Sequence, residues 1–330
     1  MKNYRVAIVG VTGLVGNTIL KILEEREFPI EKLYLFASYK SAGKTLVFNN
    51  KEYKIEELTE NSFTNDIDIA FFSAGSGISK KFAPIAASKG ITVIDNSSAF
   101  RMDNNIPLIV PEVNSQDIKK NKGIIANPNC STIQAVVALK PLNDKYKIKR
   151  IVFSTYQAVS GSGSKGISDL EKGLSGEKNS FYPYPIFNNC LPHIDTFEED
   201  GYTKEEMKMV YETKKILNDD SLKITATAVR VPVFYSHSES VNIEFYDNFI
   251  LSELIELLSN SPGIVVSDNP NESIYPLAIN AAGTDDVYVG RIRKDDSVKS
   301  GINLWIVADN VRKGAATNAV QIAECIIKEK

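Results

Sequence analysis

Cysteine and histidine are scarce in this chain. Cys130, Cys190 and Cys325 are its three cysteines in 330 residues. They are odd in number and far apart, which argues against a disulfide framework and gives no CxxC metal-ligand pair. His193 and His237 are the two histidines. Neither has a carboxylate or cysteine at ligand spacing, so no metal site is expected. No run approaches the roughly 18 apolar residues of a membrane span. Lys and Arg form no dense block and the net charge is −3, which gives no reason to expect nucleic acid. Internal repeats and low-complexity segments are missing. Met1-Lys2-Asn3 leads straight into a strand-like run, with no apolar segment and cleavage site, and the expected location is cytoplasmic. What remains is an ordinary globular composition, 43% apolar and 24% charged, in a chain long enough for two domains.

The most informative stretch is Ala126-Asn127-Pro128-Asn129-Cys130-Ser131-Thr132. Gly123-Ile124-Ile125 before it reads as the end of a short buried strand. Asn127-Pro128-Asn129 is turn chemistry, because the residue before a proline is pushed out of the α region. From Ser131 the pattern is helical, with Asn129 as N-cap. Cys130 therefore falls where a strand hands over to the first turn of a helix. Unpaired N–H groups and the helix dipole there stabilise a thiolate, the nucleophilic form of cysteine. The alternative is a small buried residue.

Upstream, the strand pattern of 4–9 enters Gly10-Val11-Thr12-Gly13-Leu14-Val15-Gly16 and then a helix over 14–25. Strand, glycine turn and helix suit a dinucleotide, whose pyrophosphate lies against the helix N-terminus. The spacing is GxxGxxG in place of the commoner GxGxxG. A second strand is expected over 33–38. No acid follows it until Glu52; the loop reads Ser38-Tyr39-Lys40-Ser41-Ala42-Gly43-Lys44. Hydroxyls and lysines suit a 2′-phosphate, which favours NADP over NAD; a solvated basic loop is the alternative. Further strands at 67–73 and 91–94, with a helix over 78–89, make a doubly wound sheet, whose ligands gather at the carboxyl ends of its strands. Ser73, Ser98, Arg101 and Cys130 lie just past such ends. Arg101 has the planar fork to clamp a phosphate or carboxylate.

After residue 148 the character changes. A long strand over 149–159 runs into Ser160-Gly161-Ser162-Gly163-Ser164, followed by a polar, partly helical insertion. A charged helix is expected over 203–217. Segments 224–232, 239–246, 287–292 and 302–308 alternate like strands of an antiparallel or mixed sheet. Residues 311–330 read as an amphipathic helix capped by Asp309 or Asn310.

These stretches, with Ser97-Ser98-Ala99-Phe100-Arg101-Met102, Gln157-Ala158-Val159-Ser160-Gly161-Ser162-Gly163, Arg230-Val231-Pro232-Val233, His237 and Arg312-Lys313-Gly314-Ala315-Ala316, resemble the aspartate-β-semialdehyde dehydrogenases of the bacterial type. The motifs follow the family's order over nearly the whole chain. The resemblance implies an α/β fold: an N-terminal Rossmann-like dinucleotide-binding domain and a second α+β domain carrying catalytic residues and the dimer interface. The expected division is 1–127, with a C-terminal helix over 310–330, for NADP binding, and 128–309 for catalysis and dimerisation.

The implied reaction is reductive dephosphorylation of β-aspartyl phosphate to aspartate semialdehyde with NADPH, through a thioester on Cys130, in lysine, threonine and methionine synthesis. A histidine of near-neutral pKa suits the proton transfers; composition leaves His193 and His237 open, and the resemblance selects His237. It also implies that Gln157 orients substrate and Asn129 fixes the acyl group. Arg101 and Lys208 take phosphate, Arg230 the α-carboxylate and Glu205 the ammonium. For the cofactor it implies Gly10, Thr12, Gly13, Leu14, Val15, Gly16, Ser38, Lys40 and Ser41, with Ser160, Gly161 and Asn310 at the nicotinamide end. The implied partners are small molecules and a second copy of the chain, with association beyond a dimer left open. Lys40 departs from the arginine of many relatives, Val11 from their alanine, and 174–190 matches least well.

Overall fold

The computed structural model describes residues 2–64 and 66–328. Two compact units divide the chain: Met1–Pro128 with Ala315–Lys330, and Asn129–Gly314.

The first unit opens with β1 (Tyr4–Val9), α1 (Leu14–Glu25) and β2 (Ile30–Ala37), then the hairpin β3 (Thr45–Phe48) and β4 (Lys51–Glu57). β5 (Ile69–Phe72), α2 (Ser76–Ser88), β6 (Thr92–Asp95), the single turn α3 (Pro111–Asn114) and β7 (Ile124–Ala126) follow. The sheet order is β3-β4-β2-β1-β5-β6-β7, parallel except for the β3–β4 pair. Val6, Ala7, Ile8 and Val9 have no exposed surface, as expected of a central parallel strand covered on both faces. Consecutive β1 and β2 are neighbours, and the next parallel strand to join β1 lies on its other side. The carboxyl end of β1 is therefore a topological switch point, where open α/β sheets bind ligands.

Gly10 sits at that point with φ +86°, and a Cβ there would lie 2.6 Å from the Ser73 carbonyl oxygen. A Cβ on Gly16 would lie 2.2 Å from the Gly10 oxygen. These two glycines let strand, turn and helix close on one another. The expected second strand starts three residues early, at Ile30. The β3–β4 hairpin was not foreseen: it turns at Asn49 and Asn50, both with positive φ, and β4 is charged and exposed along most of its length.

The second unit begins with α4 (Cys130–Tyr146) and β8 (Ile148–Gln157). Next come α5 (Gly163–Leu174), α6 (Lys204–Leu217), β9 (Lys223–Arg230), β10 (His237–Phe245), α7 (Leu251–Ser259), β11 (Ile264–Val266), the short α8 (Ala278–Ala281), β12 (Val287–Asp295) and β13 (Gly301–Ala308). Its sheet runs β11-β12-β13-β10-β8-β9 and is mixed: parallel at β11–β12 and β8–β9, antiparallel elsewhere. Residues 131–139 of α4 are all buried, because this helix lies on the sheet with α6 and α7 packed beside it.

The chain then returns to the first unit as α9 (Thr317–Lys328), which packs on α1 and is tied to it by the Arg26–Glu324 ion pair at 2.6 Å. The expected helix over 311–330 is corrected at its start: a wide π turn, Arg312–Ala316, precedes α9. Asp309 is the reason. Its carboxylate accepts the N–H groups of Val311 and Arg312, and its carbonyl accepts that of Gly314, five residues on. Asp309 is thus the cap, and Asn310 is used elsewhere. The end expected at Lys330 lies outside the described residues. Among the described residues no helix is long and apolar enough to cross a membrane.

Candidate active site

The turn between β7 and α4 places Cys130 as the first residue of α4. Asn129 is extended (φ −61°, ψ 145°), and its Oδ1 accepts the N–H groups of Ser131 at 3.0 Å and Thr132 at 3.3 Å. The cap is itself held by α6. Its backbone N–H donates to Glu212 Oε2 at 2.6 Å and its Nδ2 to Glu205 Oε1 at 2.9 Å. Cys130 Sγ lies 3.2 Å from His237 Nε2. Behind the sulfur, Gly314 approaches so closely that a Cβ on it would stand 3.0 Å from the Cys130 Cβ.

His237 opens β10 and has no exposed surface. Its Nδ1 accepts the Ala158 N–H at 3.0 Å, and its carbonyl accepts Gln134 Nε2 at 3.3 Å. Burial, then the nearby Arg230 charge, push its pKa down to about 3, with Glu205 opposing them. The expectation of a near-neutral histidine is therefore corrected: in the folded chain this ring stays neutral through the physiological range. Gly161 lies against the same ring, since a Cβ there would sit 3.2 Å from His237 Cε1 and 2.8 Å from Arg230 Nη1. His193 has another setting, exposed and stacked on the Phe197 ring at 4.3 Å.

Arg230 ends β9 opposite Gln157 of β8. It is 4% exposed; Nη1 donates to the Ala158 carbonyl at 2.6 Å, and the buried Nε has no partner. A buried guanidinium of this kind is short of an anion. Glu205 joins several members of the group. Its Oε1 accepts Asn129 Nδ2 and, at 3.3 Å, Gln157 Nε2, while Oε2 pairs with Lys208 Nζ at 3.0 Å. Burial would raise its pKa, but Lys208, Asn129 and Arg230 outweigh burial and hold it down at about 2. Lys208 also reaches Asp195 at 2.8 Å. Burial works to lower its pKa; Glu205 and Asp195 overcome that and raise it. Ser160 and Asn310 are joined side chain to side chain at about 3 Å, and Asn310 Oδ1 accepts the Ser236 N–H at 2.9 Å.

The remaining expected residues belong to the first unit. A cavity of about 450 Å³ at the carboxyl ends of β1 and β2 is walled by Gly10, Thr12, Gly13 and Ser38, among others. Leu14, Val15 and Gly16 form the first turn of α1. Lys40 and Ser41 stand on the turn after Tyr39, outside the cavity wall, with Lys40 Nζ 5.9 Å from the Tyr39 ring centre. Arg101 is buried, donating from Nε to the Asn127 carbonyl and from Nη2 to the Asn96 carbonyl, both at 2.9 Å.

Four participants escaped the sequence reading. Glu57 reaches the cavity from β4, next to Ala37 in register. Glu212 holds the cap, Gly314 backs the cysteine, and the Ala158 backbone serves both His237 and Arg230. Gly314 stood in a recognised motif without a role. The pairing of β4 with β2 gives the only route to Glu57, and a backbone amide such as that of Ala158 leaves no mark in sequence.

Comparison with known proteins identifies the family. Residues 5–121 match the semialdehyde dehydrogenase NAD binding domain, and residues 139–313 match the semialdehyde dehydrogenase dimerisation domain. An aspartate-semialdehyde dehydrogenase of Aquifex aeolicus is 57% identical over 99% of this chain and 98% of its own length. The crystal structure of aspartate semialdehyde dehydrogenase II from Vibrio cholerae has a TM-score of 0.95 at 50% identity, covering 99% of both chains; the same protein complexed with ASA gives 0.95 at 49%, with the same coverage. On its nucleotide-binding unit, its mixed-sheet unit and these full-length likenesses, the chain belongs to the aspartate-semialdehyde dehydrogenase family, a family of oxidoreductases.

Proposed function

We propose that the chain catalyses the reversible, NADPH-dependent conversion of β-aspartyl phosphate into aspartate semialdehyde and phosphate through a thioester on Cys130. The reaction would serve lysine, threonine and methionine synthesis. The observation that carries this reading is Cys130 at the opening of α4 with its sulfur 3.2 Å from His237 Nε2. A relative solved with ASA supports the substrate.

In this reading the Cys130 thiolate, favoured by the N-terminus of α4, forms a bond to the β-acyl carbon. The carbon–oxygen bond to phosphate breaks and phosphate leaves with the electron pair. Covalent attachment divides one hard displacement into two easier ones. Once hydride has reached the acyl carbon, the carbon–sulfur bond breaks, the pair returns to Sγ and the aldehyde is released. Arg230, whose buried Nε has no partner, grips the α-carboxylate. Glu205, ionised down to about pH 2, takes the ammonium. Gln157 and Asn129 orient the acyl group, Lys208 and Arg101 take the phosphate, and His237 supplies hydrogen bonding at the sulfur.

NADPH, when bound, supplies the hydride. The cavity of about 450 Å³ fits such a group: its wall contains Gly10, where a side chain would collide with Ser73, and Gly13, the residue that caps the N-terminus of α1. Gly10, Thr12 and Gly13 would hold the pyrophosphate, with Leu14, Val15 and Gly16 forming the turn beneath. Ser38, Lys40 and Ser41 would read the 2′-phosphate; Ser160, Gly161 and Asn310 would meet the nicotinamide. A homodimer is the natural assembly for a chain with this dimerisation domain. The sheet face opposite α4, where Tyr156 and Trp305 pack at 5.4 Å, supports it.

Initial rates of NADP and NAD reduction with aspartate semialdehyde, with and without phosphate, test the reading. The expected outcome is phosphate-dependent turnover that is faster with NADP. Equal rates with both nucleotides would remove Lys40 and Ser41 as 2′-phosphate readers. Failure of folded, nucleotide-binding protein to turn over would overturn the reaction.

A further inference from the structure

The Asp195 carboxylate reaches Lys208 from the segment that leads from the edge of β9 to the start of α6. Leu191 ties one end of that segment to Arg230 by two backbone bonds, at 2.9 and 2.8 Å. At the other end the Thr196 carbonyl accepts the Lys204 N–H at 2.9 Å. Between them Asp195 turns with φ +69°, a left-handed conformation in which aspartate and asparagine are enriched. Its Oδ1 accepts the Thr196 N–H at 2.8 Å. That bond closes an Asx turn and leaves Oδ2 against the lysine.

Lys208 is thereby held between two carboxylates. Its Nζ donates to Glu205 Oε2 at 3.0 Å and to Asp195 Oδ2 at 2.8 Å. All three groups are charged at neutral pH, because each carboxylate and the ammonium hold one another ionised against burial. The trio therefore carries one net negative charge. Only 7% of the Glu205 side chain is exposed, against 36% of Asp195 and 23% of Lys208, so water reaches the lysine on the Asp195 side. An ammonium has three donors. One is left for an incoming anion, and that anion meets a cation already outnumbered by carboxylates.

We propose that Asp195 is a positioning residue that weakens the hold of Lys208 on phosphate, so that phosphate leaves the site readily once the acyl group is on Cys130. This rests on the reading of Lys208 as a phosphate ligand and deepens it. The two carboxylates divide the task. Glu205, which takes the ammonium in that reading, pins Lys208 on the buried side. Asp195 pins it on the open side and sets its own charge against the anion's. Lysine suits the arrangement: a compact charge on a flexible stem is shared among partners more easily than a planar guanidinium fork. In the opposite direction the same repulsion makes phosphate capture weaker.

Asp195→Asn isolates the charge. Asparagine accepts the left-handed turn, and its Oδ1 keeps the bond to the Thr196 N–H, so the segment holds its course. Its NH2 then faces Lys208, donor against donor, and the lysine is released. Affinity for inorganic phosphate, read by phosphorus-31 NMR titration, should rise about three- to fivefold. Asp195→Gly, which also accepts the turn, should act in the same direction. In turnover with aspartate semialdehyde and NADP, KM for phosphate should fall by a similar factor, and KM for aspartate semialdehyde should move less. Phosphate affinity that is unchanged or lower in both variants overturns the proposal, and so does an equal change in the two KM values. Adding Lys208→Met to Asp195→Asn should erase the gain; a gain that persists removes Lys208 from the phosphate and overturns the proposal with it. The titration needs no turnover. Protein that binds phosphate as expected but does not turn over contradicts the reaction, whereas the role of Asp195 is read from binding.

Discussion

At the scale of single residues the site works by restraint of charge. His237 stays neutral down to about pH 3, while an unfolded chain would charge it near 6.5. Between these values the unfolded state binds more protons, so stability rises with pH there. The contribution is fully present above about 6.5 and is lost as pH falls towards 3. His237→Asn should therefore flatten that part of the stability profile. Urea midpoints at a series of pH values check this; a variant whose midpoints fall as steeply as the parent's would show that burial of the ring is not the cause. Residues of this scale were unevenly legible. Cys130 and Asn129 stood out because capping and turn chemistry are local. The depressed pKa of His237 was not legible, because it arises from burial under β8 and α4 and from Arg230, 7 positions before it in sequence but placed by a different strand.

At the scale of elements, α4 and α6 operate as a pair. The cap of α4 is held by two glutamates of α6, so Asn129→Ala should do more than remove a cap. The lost bonds to Ser131 and Thr132 alone cost about 1 kcal/mol, and the lost bond from Nδ2 leaves Glu205 Oε1 with Gln157 as its remaining partner in this group. The expected result is a lower urea midpoint together with a raised KM for aspartate semialdehyde, because Glu205 loses its orientation. A midpoint change with KM untouched would separate the cap from the substrate site. The long strands and helices were legible because their periodicity is strong: β1 and α1 fall on the expected boundaries, and the charged helix α6 begins one residue after its Thr203 cap. The β3–β4 hairpin and the helix α7 were not assigned. The hairpin lies at a sheet edge, where exposed Lys and Glu blur the alternation. The π turn before α9 depends on one aspartate serving as side-chain cap and carbonyl acceptor together, which periodicity does not register.

At the scale of the whole molecule, the fold class was legible from one change of pattern: strands alternating with helices give way to long alternating strands. The return of the C-terminal helix to the first unit came from the resemblance alone, since an amphipathic stripe names no partner; the α1–α9 packing and the Arg26–Glu324 pair supply the physical reason. In the proposed reading the nucleotide belongs to one unit and the nucleophile to the other, which makes the chemistry separable into halves. Mass spectrometry of acid-quenched protein exposes the first half most directly. With aspartate semialdehyde and NADP but no phosphate, an acyl adduct should accumulate on the Cys130 peptide, require the nucleotide, and disappear when phosphate is added. Turnover without any such adduct, or an adduct on Cys190 or Cys325 in its place, would contradict the account.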